Sequence, residues 1–154
     1  MPYTRCSALA ALMLMTGLVQ AEVRVEGEVE YGVFASDYQD FQPGERVLSQ
    51  SSQAIERTEV IPAKLGTKFG MRYSLAGKAS DGAPLTLLYL TPGVTTPDGV
   101  RHDKFVVMQK LVPGAPQDVM AFEFSETHEM VPGEWQFLVF QDDRKLAEQR
   151  FIVR

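Results

Sequence analysis

The stretch that most constrains the fold is the last twenty-odd residues, Pro132 to Arg154, PGEWQFLVFQDDRKLAEQRFIVR. Trp135, Phe137 and Val139 alternate with Glu134, Gln136 and Leu138, and a period of two resumes at Ala147, Phe151 and Val153 after the polar run Gln141 to Lys145. Successive side chains of a strand point to opposite faces, so this spacing predicts two strands joined by a tight turn. Asp142 and Asp143 supply the turn chemistry.

Upstream, the chain reads as further strands that can pair with this hairpin. EVRVEGEVEYGVFA, from Glu22, alternates Val23, Val25, Val29, Tyr31 and Val33 with charged residues, which predicts an edge-type strand with one wet face. Gly27 and Gly32 inside it mark a bulge or bend. Leu65, Phe69, Met71, Tyr73 and Leu75 predict a long half-buried strand beginning near residue 64. Asp81-Gly82 marks the next turn, and Leu85 to Leu90 (LTLLYL) is a more continuously apolar strand, closed by Thr91-Pro92-Gly93. Lys104 to Leu111 and Val119 to Phe124 follow, set off by Pro97-Asp98-Gly99 and Pro113-Gly114-Ala115-Pro116. The count is about seven strands, with no sustained helical period. That predicts an all-β chain, an immunoglobulin-like antiparallel β-sandwich, with an up-and-down β-barrel as the alternative.

Residues 1–21 have the parts of a secretory signal: Arg5, the apolar run Cys6 to Val19, and small residues before Glu22. The run is shorter than the roughly 20 residues that span a bilayer, so cleavage after Ala21 is expected and no stable membrane anchor remains. The mature chain, 22–154, is then a single β-sandwich domain exported to the periplasm. Cys6 is the chain's one cysteine. The mature form therefore has no thiol for redox chemistry, a disulfide or a Cys-ligated metal. Without Arg5, 14 basic residues face 20 acidic ones. An acidic chain with no basic stripe excludes nucleic acid as an expected partner.

The stretches IPAKLGTKFGMRYSL (Ile61 to Leu75) and PGEWQFLVFQDDRKLAEQRFIV (Pro132 to Val153) resemble a family of small exported Gram-negative bacterial proteins catalogued as a domain of unknown function. The resemblance implies an immunoglobulin-like sandwich in the bacterial envelope. It brings no activity, cofactor or catalytic residue.

Candidate chemistry is sparse. His102-Asp103 and His128, between Glu126 and Glu129, are the only histidine–carboxylate neighbours. Adjacent strand residues face apart, so His102 and Asp103 are not expected to meet, and His128 reads as loop polarity. No Gly-x-Ser-x-Gly elbow or His-Glu-x-x-His helix occurs, so no catalytic residue is assigned and the chain is read as a non-enzyme. Copper on His102, His128, Met108, Met120 and Met130 is an alternative, with His128-x-Met130 as its best pair. Against it, Met108 and Met120 read as core fillers. Calcium on Asp37, Asp40 and Glu45, or on Asp142-Asp143, lacks the six to eight oxygens in a loop that this ion needs. No cofactor or metal is expected.

The pattern fails from Ser36 to Thr58, which predicts a long irregular loop. Tyr38, Phe41, Val47 and Leu48 within it either form a partner-binding surface or fold back over the open sheet edge. The function expected is a non-catalytic binding module, with another envelope protein as partner. A structural or chaperone-like role, lending an edge strand, is a further alternative, disfavoured at Glu22 to Ala35 by its charges.

Overall fold

The computed structural model describes residues 22–35 and 53–154. Two largely antiparallel sheets pack face to face without closing into a barrel, which is the predicted sandwich. In chain order the strands are β1 (Arg24–Phe34), β2 (Ile55–Glu56), β3 (Val60–Ile61), β4 (Lys68–Ala76), β5 (Leu85–Thr95), β6 (Arg101–Gln109), β7 (Asp118–Glu123), β8 (Gly133–Gln141) and β9 (Arg144–Val153). One sheet has the order β2-β1-β4-β7 and the other β3-β9-β8-β5-β6. The seven expected strands are all present, and β2 and β3 are two-residue additions. Among the described residues β3 makes the one parallel pairing, beside the end of β9.

The closing hairpin forms as the alternation requires. Gln141 pairs with Arg144 across Asp142-Asp143, and Asp142 adopts φ 53°, a left-handed turn conformation that Asp tolerates. Trp135, Phe137, Val139, Phe151 and Val153 all face the core. Phe69 of β4 sits at the centre of that core, with its ring centroid 5.2–5.8 Å from those of Phe124, Trp135, Phe137 and Phe151. Tilted and edge-on rings at these separations add to the area they bury. Trp135 Nε1 donates to the Val131 carbonyl at 2.9 Å, so its polar atom is satisfied inside the core. Tyr89 Oη donates to the Ala121 carbonyl at 3.1 Å and ties β5 to β7 across the two sheets.

Four expectations need correction. Leu65 lies in the turn before β4 and is 48% exposed, because the chain turns at Leu65-Gly66 and pairing begins only at Lys68. β5 does not stop at Leu90. It runs to Thr95 through an irregularity at Thr91-Pro92-Gly93, where a register shift against β6 absorbs the proline. β6 likewise starts earlier than expected, at Arg101, and ends at Gln109. The segment 36–58 is not irregular throughout, since Ile55 and Glu56 pair with Phe34 and Val33 on the edge of β1. Gly32 permits this. Its φ is 141°, and an added Cβ would lie 1.8 Å from the Glu56 carbonyl oxygen. The expected bulge at Gly27 is present as a register shift between Glu26 and Glu30.

Candidate interaction surface

The five-stranded sheet carries apolar side chains on both of its faces. β5 and β8 are, with β9, its inner strands, and both carry apolar residues on both faces. Leu85, Leu87, Tyr89, Phe137 and Val139 point into the core. On the opposite face Leu88 pairs with Leu138 on β8 and with Val106 on β6, while Thr86 pairs with Phe140 and Met108. These pairs form two rows of mostly apolar side chains across three strands, running from Leu138, which is buried, out to Val106 and Met108, which are more than half exposed. The rows end at the β9 side on charge: Glu148 pairs with Leu138, and Lys145 pairs with Phe140. Glu148 is held below the usual carboxylate range by hydrogen bonds from Lys145 and Gln136.

β6 bounds this face. Among the described residues it pairs only with β5 and forms the edge of its sheet. Val106, Val107 and Met108 are 54%, 47% and 62% exposed, the densest run of exposed apolar side chains among the described residues. Met108 is therefore not the core filler its sequence setting predicts. Met120, on β7, is fully buried as expected. The two differ in partner: Met120 pairs with Met71 inside the sandwich, whereas Met108 lies outside, with its sulfur 3.4 Å from the Thr86 hydroxyl.

The histidines are occupied in local structure. Asp103 pairs with Arg101 at 2.9 Å, while the His102 ring stacks on Phe105, with centroids 5.3 Å apart. His102 Nε2 lies 3.3 Å from the Thr96 hydroxyl, and that hydroxyl donates to Asp98. Asp98 is lowered below the ordinary carboxylate value first by this bond and then by the Val100 amide. The trio Thr96, Asp98 and His102 escapes sequence reading because a tight turn, not adjacency, assembles it. Its carboxylate accepts from the hydroxyl and not from the imidazole, so it does not orient the ring as a base would require. His128 sits in a single 3₁₀ turn, Thr127–Glu129, closed by a capping box between Glu126 and Glu129. Met130 packs half-buried against the core. Among the described residues no group of three His, Cys, Asp or Glu could hold a metal ion.

Clefts lie at the ends of the sandwich. One, about 940 Å³, opens where Glu22, Asp81, Asp142, Asp143 and Arg144 meet, and it is lined by turn residues together with Arg24 and Gln141 from the strand ends. Another, about 670 Å³, adjoins Phe34, Lys64 and Phe124 at the end where the segment 36–52 leaves β1. Tyr38, Phe41, Val47 and Leu48, with Asp37, Asp40 and Glu45, lie outside the described residues. The described return of that segment is anchored firmly. Arg72 Nη1 donates to the Gln53 carbonyl at 2.6 Å and Lys68 Nζ to Gln53 Oε1 at 3.1 Å, while Arg72 Nε reaches Glu30 at 2.7 Å. Glu30 is lowered chiefly by that bond, and Lys68 is lowered by burial. Among the described residues no helix is long and apolar enough to cross a membrane.

The sequence profile of a family described as Domain of unknown function (DUF3859) matches residues 22–153. The crystal structure of an immunoglobulin-like protein from Pseudomonas aeruginosa is 62% identical, covers 88% of this chain and 99% of its own, and superposes with a TM-score of 0.78. An alkylpurine DNA glycosylase from Pseudomonas fluorescens, bound to DNA, is 19% identical over 87% of this chain and 31% of its own. Its TM-score of 0.41 is too low to support any reading. No curated protein matches the chain.

Proposed function

Because the chain belongs to the DUF3859 family, whose description carries no activity, we propose its function from its surfaces: an exported, non-catalytic interaction module of the bacterial envelope. One observation carries this reading. Three of the eight large apolar side chains exposed among the described residues, Val106, Val107 and Met108, follow one another on β6, each about half exposed or more. Exposed apolar groups gathered in this way mark interaction sites more often than chance decoration. The polar constellations, by contrast, are engaged in turns and strand anchors. The signal-like residues 1–21 lie outside the described residues, and export to the periplasm rests on their sequence alone.

The test uses the full-length chain with a C-terminal tag, expressed in a Gram-negative host. Intact-mass measurement of the periplasmic fraction is expected to show a chain beginning at Glu22. Cross-linking in that fraction is expected to give defined adducts with the wild type and to lose them with Leu88→Lys, which charges the outer face while leaving the core face intact. Retention of the whole chain in the cytoplasm overturns the location. Adducts unchanged by Leu88→Lys overturn the assignment of this surface.

A further inference from the structure

We infer that β6 is a self-recognition strand, pairing antiparallel with β6 of a second copy so that the two five-stranded sheets join edge to edge. This inference rests on the interaction-module reading and names both the partner and the register.

Among the described residues, β2 caps β1 only at Val33 and Phe34, β3 caps β9 only at Ile152 and Val153, and the uncapped part of β1 carries Arg24, Glu26, Glu28 and Glu30, charges that discourage pairing. β7 is half-buried or better along most of its length. β6 is nine residues long, mostly exposed, and free of proline, glycine and bulge, since the irregularity of that pair falls on β5. Edges are normally blunted by short length, proline, bulges or charged side chains; β6 has only the last, at Arg101, Asp103 and Lys104, and its second half from Phe105 to Gln109 is uncharged. Val107 adds a second sign. It pairs with the buried Leu87 and so shares the core-facing side of the sheet, yet it is 47% exposed. The sandwich is left unsealed along this strand.

The charges of β6 select the occupant. Two antiparallel copies related by a two-fold axis at Val106 set Val106 against Val106, Phe105 against Val107, Lys104 against Met108 and Asp103 against Gln109. No two charges of like sign face each other among these pairs. Centring on Phe105 places Asp103 and Lys104 opposite Val107 and Val106. Centring on Val107 opposes Lys104 to Lys110, and centring on Lys104 opposes that residue to itself. Cross-strand like charges are destabilising and apolar pairs are favourable, so one self-register stands out. In that register Val107 is covered by Phe105 of the second copy, and the outer rows that end at Val106 and Met108 continue across the axis. Seven paired residues span about 24 Å at about 3.4 Å each. A contact of this length lies at the weak end of specific interfaces, with an expected Kd on the order of 10 µM.

Sedimentation velocity of residues 22–154 between about 2 and 300 µM, a range chosen to bracket that Kd, tests the proposal. The wild type is expected to pass from monomer to dimer. Val106→Lys, which sets two ammonium groups on the axis, is expected to stay monomeric at every concentration with an unchanged circular dichroism spectrum. Met108→Glu is the register-specific variant: it places a carboxylate opposite Lys104 of the second copy and is expected to tighten the dimer several-fold. A wild type that remains monomeric throughout overturns the proposal, as does a dimer that Val106→Lys leaves intact. Dimerisation that appears only after deletion of residues 36–52 also overturns it, by making that segment the occupant of the edge. A monomeric wild type that still loses its cross-linked adducts on Leu88→Lys overturns self-pairing alone and leaves the interaction-module reading standing.

Discussion

Lys78 Nζ lies 3.0 Å from Asp118 Oδ2, with both side chains only 4% exposed, and the same ammonium donates to the Ala115 carbonyl at 2.7 Å. The pair joins the turn after β4 to the first residue of β7. It thereby fixes the loop that leads out of β6. Removing one partner of such a pair leaves a buried charge without its counterion, which costs about 3–5 kcal/mol, whereas replacing both with apolar groups of similar size is near neutral. Asp118→Ala is therefore expected to lower stability by about that amount in urea denaturation, and Lys78→Met with Asp118→Leu to recover most of it. Equal losses in the single and double variants would show that the pair does not act as a unit.

Phe69 touches the rings of five aromatic neighbours, Trp135 among them. Phe69→Ala is expected to cost about 3–5 kcal/mol through lost burial and the cavity left behind. The chain has one tryptophan, and it is fully buried. Its emission therefore reports the core directly, and in the variant it should shift to longer wavelength before global unfolding. An unshifted emission maximum would mean that the cluster closes over the missing ring.

Gly32→Ala is expected to detach β2, because its Cβ would fall on the Glu56 carbonyl. The cost exceeds about 1 kcal/mol, since the residue cannot relax to an allowed conformation without breaking that pairing. Hydrogen exchange at residues 54 to 57 should accelerate while β8 and β9 stay protected. Gly99→Ala is the control, with φ 84° but no atom within 4 Å of the added carbon. It carries backbone strain without the clash and should leave exchange at 54 to 57 unchanged.

Burial pushes the Tyr89 phenol up to about 12, against about 10 in an unfolded chain. A raised folded value means that the stabilisation from keeping the phenol neutral is fully present below pH 10 and is lost as pH rises toward 12. Urea midpoints measured from pH 8 to 12 should therefore fall above pH 10. Tyr89→Phe should fall less steeply in that window, after losing about 1 kcal/mol at neutral pH with the bond to Ala121. Tyr73, also raised by burial, leaves a residual alkaline slope in the variant. Identical slopes for the two proteins would show that Tyr89 does not titrate with unfolding.

Local pattern carried the strands, because a period of two is written in consecutive residues and needs no partner to be read. That is why the closing hairpin, the buried Trp135 and the Asp142-Asp143 turn agree between sequence and structure. Pattern also placed Met120 in the core but misplaced Met108. Both stand among apolar neighbours, and alternation states which residues share a face without stating whether that face is covered. Lys78 and Asp118 stand forty positions apart, and nothing near either one foretells their pairing.

By itself the sequence determined the element type, the turns, the core side of the hairpin and the family to which the chain belongs. Only the tertiary structure decided which strands become sheet edges among the described residues and where short strands cap them. Capping is a non-local event: two-residue strands such as β2 and β3 are too short to show a period, and they exist only because Gly32 and the end of β9 admit them. The exposed run on β6 follows from the same cause. β6 takes its single neighbour from strand order, and strand order is set by how two sheets bury a shared core.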